Sequence, residues 1–196
     1  RYDRQRRVMW TRGAAIRQVP AYAIVNASFL DRIEDIEGRA DDDVISQRLT
    51  KLRSLQPKLF DDVQARVALR IDDLAKGLIV QMTGILVEVF DAAHPGRMRQ
   101  IAEEDLRAAE VTMDVEEELR RERPDEPFEL DDVVGREQPA IVAFMQRVLE
   151  GSLEAQSEHE IDLDDVHASY RKLLGYVLAL SYAVEAPPGA TRDLPA

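Results

Sequence analysis

Apolar residues recur every three or four positions through most of this chain, the interval that lines them up on one face of a helix. The strongest run goes from Pro57 to Ala93, with Phe60, Val63, Val67, Ile71, Leu74, Leu78, Met82, Ile85 and Val89 on one stripe. Between Lys76 and Glu88 no residue is charged, and Ile79, Val80, Leu86 and Val87 carry apolar surface most of the way round the cylinder. Such a helix must be covered on several sides. The pattern predicts one long central helix, about 55 Å at a rise of about 1.5 Å per residue, opened by Pro57 and closed by His94-Pro95-Gly96. Gly77 and Gly84 are its weak points, and since they share roughly one face, close approach of a neighbouring helix is preferred to a hinge.

Shorter runs of the same period lie on either side. A helix is expected from Tyr2 to Ile16, a second from Pro20 to Gly38, and a third from the acids Asp41 to Asp43 as far as Leu55. After the central helix, Arg97 to Arg123 is heavily charged with a thin apolar row (Met98, Ile101, Ala102, Ala109, Met113), which predicts a surface helix. Arg123-Pro124-Asp125-Glu126-Pro127 reads as a linker. A short helix over 131–137, a better one from Pro139, a polar loop over 151–160 and a last helix from about Leu163 to Val184 follow, and Pro187-Pro188-Gly189 ends the series. No stretch alternates with a period of two, so the fold class is all-α, a helical bundle of about six or seven helices around the long central one. In domain terms, residues 1–123 form an N-terminal helical bundle, 124–130 a linker, 131–186 C-terminal helices on the same core, and 187–196 a tail.

With 196 residues, 45% of them hydrophobic, the chain can bury a real core. The absence of cysteine removes disulfides and thiolate metal sites from consideration. Only eleven uncharged positions separate Lys76 from Glu88, too few for a membrane span of about 20 residues, and a cytoplasmic location is the default expectation. Charge is uneven: six arginines against Asp3 make residues 1–17 carry +5, leaving −17 for the rest of a total of −12. That basic arm, with Tyr2 and Trp10, suggests contact with nucleic acid or an anionic surface. Docking on an acidic body, its own or a neighbour's, is preferred, because such a body repels phosphate within a screening length of about 8 to 10 Å.

Candidate chemistry is sparse. Asp-Asp-Val occurs at 42–44, 61–63, 131–133 and 164–166, each at or near an expected helix start, where aspartate caps free N–H groups. Paired carboxylates also suit Mg²⁺. The enzymatic alternative is therefore an all-α, Mg²⁺-dependent nucleotide pyrophosphohydrolase with Glu34, Glu37, Asp62 and Asp73 as the metal set, Asp62 and Asp73 lying three turns apart on the central helix. His94, His159 and His167 do not complete a di-iron pattern, and there is neither a Gly-x-Ser-x-Gly nor a glycine-rich phosphate loop. The leading reading is a non-enzymatic helical module that binds a protein partner or a second copy of itself and needs no cofactor. Its expected docking surface is the neutral half of the central helix, Leu78, Met82, Ile85, Leu86 and Val89, because the charged helix after it brings little apolar cover. Nucleic acid is the least favoured partner.

Overall fold

The computed structural model describes residues 16–30, 42–122, 132–156 and 160–189. Besides the 3-10 turn Ala21–Ala23 and the helical residues 27–30, seven α-helices occur among them: α1 (Asp42–Leu55), α2 (Pro57–Val67), α3 (Asp73–Ala93), α4 (Glu103–Glu122), α5 (Asp132–Glu137), α6 (Pro139–Ala155) and α7 (Leu163–Tyr182). The only β pairing among the described residues is a single antiparallel bridge between Met98 and Val184. The bundle is all-α, and no described helix is long and apolar enough to cross a membrane.

The expected central helix is two helices. It breaks over 68–72, not at either glycine, because Asp72 caps a new start: its carboxylate accepts the Leu74 N–H at 2.8 Å. Of the two glycines, only Gly84 marks a close approach. A β-carbon there would lie 3.2 Å from Cβ of Arg48, which crosses the glycine to reach Glu88 at 2.9 Å, whereas Gly77 has open space. The expected helix from Pro20 also starts late. Pro20 is extended, Ala21–Ala23 make one 3-10 turn, and helical residues begin only at 27, with the Asn26 side chain accepting the Ser28 N–H at 3.1 Å. Likewise 97–102 is an extended lead into α4, and α6 runs through Gly151 to Ala155, where a loop was expected. The helix expected over 2–16 and the 123–127 linker lie outside the described residues, apart from Ile16, which is not helical.

Helices α3 and α7 form the inner pair and run parallel. At their N-termini the Asp72 N–H donates to the Asp165 carboxylate at 2.8 Å and the Asp162 N–H to the Asp72 carboxylate at 3.2 Å, so each start helps to cap the other. These bonds answer a physical problem, since two positive helix ends side by side repel. The Asp162 N–H is the largest cause that holds the Asp72 carboxyl below its ordinary value. At the far ends, Arg99 N–H donates to Ala183 C=O at 3.1 Å and Glu185 N–H to Arg97 C=O at 2.7 Å. Around this pair, α1, α2 and α6 pack on α3, while α4 and α5 pack on α7. One apolar core takes residues from Val19 to Val184.

Candidate functional site

The five residues expected to dock a partner are inside the protein. Leu78, Met82, Ile85, Leu86 and Val89 are at most 6% exposed, and the cover comes from the chain's own helices. This corrects the reading of the sequence. The charged helix brings little apolar cover, but four other helices enclose α3, and most of its circumference is core, with Gln81 left exposed.

The metal set is not assembled either. Asp73 is 98% exposed and pairs with Lys76 at 2.9 Å. Asp62 lies on α2, on the other side of the 68–72 break, so the three-turn relation to Asp73 does not exist. Glu34 and Glu37 lie outside the described residues, and among those described no three His, Asp or Glu side chains gather as a metal would require. Asp62 is engaged elsewhere. Its carboxylate accepts the Tyr176 hydroxyl at 2.8 Å and pairs with Lys172 at 2.9 Å.

That pair of contacts marks a groove between α2, α4 and α7. One end is a 110 Å³ pocket floored by Leu106, Ala109, Met113 and Gly175, with Arg171 on its edge. The other is a 430 Å³ cleft between Lys58, Asp61, Glu103 and Arg107, and the two run together at Leu106, Glu110 and Lys172. The floor is apolar while the rim carries both signs of charge. Lys172 also reaches Glu110 at 3.5 Å, and Arg171 reaches Asp114 at 2.9 Å and Glu117 at 3.2 Å. Burial, and then the Asp62 charge, push the Tyr176 phenol far above its ordinary value, so it stays a neutral donor. The Lys172 ammonium sits 5.6 Å from the centre of the same ring, within the range of cation–π attraction. A larger depression of 510 Å³ along α1 is wide open and contains a single ion pair, Lys51 with Asp91. Its shape would hold a ligand poorly.

Two further polar clusters were not expected. At the C-terminal end of α7, the Asp105 carboxylate, 2% exposed, takes both arms of the Arg99 guanidinium, the Arg17 guanidinium at 2.8 Å and the Ala102 N–H at 2.9 Å. Burial pushes this carboxyl up, but the hydrogen bonds from Arg99 and Ala102 outweigh it, and the group lies below its ordinary value. Arg17 also stacks on the Tyr182 ring at 4.4 Å, so the last residue of the basic arm docks on an acidic site of its own chain. Residues 1–15 of the arm lie outside the described residues. The second cluster is His94, 3% exposed, set between Ala23 C=O at 3.3 Å and the Arg97 guanidinium at 3.0 Å. Burial, then the Arg97 charge, lower its pKa below the ordinary 6.5, so the ring is neutral at neutral pH.

Of the four Asp-Asp-Val copies, the one at 61–63 does not cap. No acid occupies the first turn of α2, and Asp62 instead makes the tertiary contacts described above. At 164–166 the cap is the preceding Asp162, which accepts from Asp164 and Asp165 N–H groups. Neither a family model, nor a curated protein, nor a solved structure matches this chain.

Proposed function

We propose that the protein is a non-enzymatic helical module that binds a protein segment in the groove between α2, α4 and α7. The observation that carries the reading is Gly175. It lies inside α7, where glycine costs about 1 kcal/mol relative to alanine, and its backbone does not have the positive φ that would call for it. A β-carbon there would meet nothing within 4 Å, so no neighbouring element needs the space. What the missing side chain does is keep the floor of the groove open between Ala109, Met113 and Tyr176.

An apolar floor inside a charged rim is how protein interfaces are built, and a helix laid in a groove anchors through a few apolar side chains. The 110 Å³ pocket has room for one large apolar side chain, with Lys172, Arg171 and Glu110 placed to pair with charges beside it. The partner expected is therefore an amphipathic segment of mixed charge. Gly175→Leu tests this directly: it should leave the fold intact, because the space is open, and weaken capture of the partner at least tenfold in a pull-down followed by titration. Undiminished capture by a folded Gly175→Leu protein would remove the groove from consideration.

A further inference from the structure

Gln-Pro occurs twice in the sequence, at Gln56-Pro57 and Gln138-Pro139, and both copies do the same thing. Each glutamine joins two helices, with nearly identical backbone angles: φ −136°, ψ 66° at Gln56 and φ −137°, ψ 62° at Gln138. The N–H of each closes the helix before it, Gln56 onto Leu52 C=O at 2.8 Å and Gln138 onto Val134 C=O at 2.7 Å. The C=O of each opens the helix after it, accepting from Phe60 at 3.0 Å and Val142 at 3.1 Å. Both side chains are buried, at 3% and 0% exposure.

The two amides also grip an extended stretch of chain in the same way. Gln56 donates to Arg99 C=O at 3.0 Å and accepts from Ile101 N–H at 2.7 Å. Gln138 donates to Ala23 C=O at 2.8 Å and accepts from Val25 N–H at 3.0 Å. In each case one carbonyl and the N–H two residues later are held, with a buried aliphatic, Ile101 or Val25, at the second position. The likeness continues into the next turn, where Ala102 C=O accepts from Asp105 N–H and Asn26 C=O accepts from Phe29 N–H, each at 3.1 Å. Residues 23–29 and 99–105 thus follow one pattern in the same register. The holding is crossed: the glutamine of the first half holds the lead-in of the second half, and the glutamine of the second half holds that of the first.

We propose that Gln56 and Gln138 are two copies of one slot for an extended strap, and that the Gln138 slot takes residues 16–25 from a second copy of this chain, giving a strap-exchanged dimer. The strap is recognised through main-chain groups and a few side chains, all of which a second copy supplies equally. Among the described residues, and apart from the His94 ring on Ala23 C=O, its hydrogen bonds to the rest of the protein run to the region beyond Gly96: Arg17 to Asp105 and Tyr182, Val19 N–H to Glu137 at 3.2 Å, and Ala23 and Val25 to Gln138. Exchange of an identical element replaces internal contacts by the same contacts between chains, so it needs no new surface. The inference is independent of the groove between α2, α4 and α7.

Complementation tests it with full-length protein. Val25→Pro removes the N–H that Gln138 accepts and spoils the strap; Gln138→Leu removes both groups of the slot. Each variant alone lacks a good strap-slot pair, but in a mixture the intact strap of Gln138→Leu can enter the intact slot of Val25→Pro. Native mass spectrometry after co-refolding at submillimolar concentration should show a heterodimer at least tenfold above either homodimer, and wild type should show a dimer that grows with concentration. A mixture that stays monomeric overturns the proposal. Should Gln138→Leu fail to fold, Gln138→Glu replaces it, keeping the acceptor for Val25 and losing the donor to Ala23, with the same two outcomes read the same way.

Discussion

Helices α3 and α7 lie side by side with their starts capping each other and their ends bridged, yet they are covered differently. Helix α3 is packed by α1, α2, α6 and α7, and its glycine at 84 lies under Arg48. Helix α7 is packed by α3, α4 and α5, and its glycine at 175 faces open space beside Lys172 and Tyr176. Each of the two buries twelve residues, so the contrast is local rather than one of overall cover. The neutral run of α3 is interior, as a helix apolar on most sides must be, and the open groove lies along α7, which mixes tyrosine, lysine and arginine into its apolar stripe.

Truncation should break the comparison most sharply. Leu86→Ala, at a fully buried site on α3, is expected to cost about 2 to 5 kcal/mol in urea denaturation, whereas Leu163→Ala, 53% exposed on α7, should stay within about 0.5 kcal/mol. Equal losses would mean that the enclosure of α3 is wrong. Next in size, Asp105→Asn removes the carboxylate that ties Arg99 and Arg17 to the end of α7, for an expected loss of about 2 kcal/mol.

The pH dependence of Asp105 follows from its lowered pKa. Its contribution is complete above the ordinary value of 3.8 and disappears as pH falls through the folded value. Asp105→Asn should therefore flatten the acid limb of the stability curve, and an unchanged limb would assign that limb to other carboxylates.

The glycines make the most direct contrast. Gly175→Ala should stabilise the protein by about 0.5 to 1 kcal/mol through helix propensity alone, and Gly84→Ala should destabilise it, because its new carbon meets Arg48 at 3.2 Å. Like-signed shifts in melting temperature would erase the difference between the two helices. The smallest effect expected is at His94, on the turn that follows α3. Its pKa is lowered, so its contribution is present above 6.5 and fades as pH falls toward the folded value. Going from about pH 7.5 to about pH 5.5 should lower the denaturation midpoint of wild type more than that of His94→Gln; parallel curves would mean that this ring does not titrate there.

The sequence was most informative where period and punctuation agreed. The ends of α1 and α5 follow from Pro57 and Pro139, which open the helices after them, and the start of α7 from its aspartates. It misled at Pro20, where helical spacing of Tyr22, Val25 and Phe29 was real but the backbone of Ala23 and Val25 was bound to Gln138 instead. A side chain that takes main-chain hydrogen bonds from more than a hundred residues away leaves no trace in a local window. It misled again at 68–72, because the stripe carries on in phase through a break that a single capping aspartate produces. The groove was out of reach for a similar reason: Asp62, Glu110 and Lys172 are spread over three helices, and only their packing puts them together. The repeated Gln-Pro dipeptide was the one legible trace of the paired slots.

The crossed straps also constrain how the chain is made. Residues leave the ribosome in order, so Arg17 and Val25 emerge long before Tyr182 and Gln138, their partners at separations of 165 and 113 residues. Until Gln138 and Tyr182 have emerged, the first strap has nowhere to go, and Val19, Ala23 and Val25 remain without the interior they later occupy. Contacts of such long range slow the final step of folding, so a newly made chain passes that interval with its first strap unclaimed.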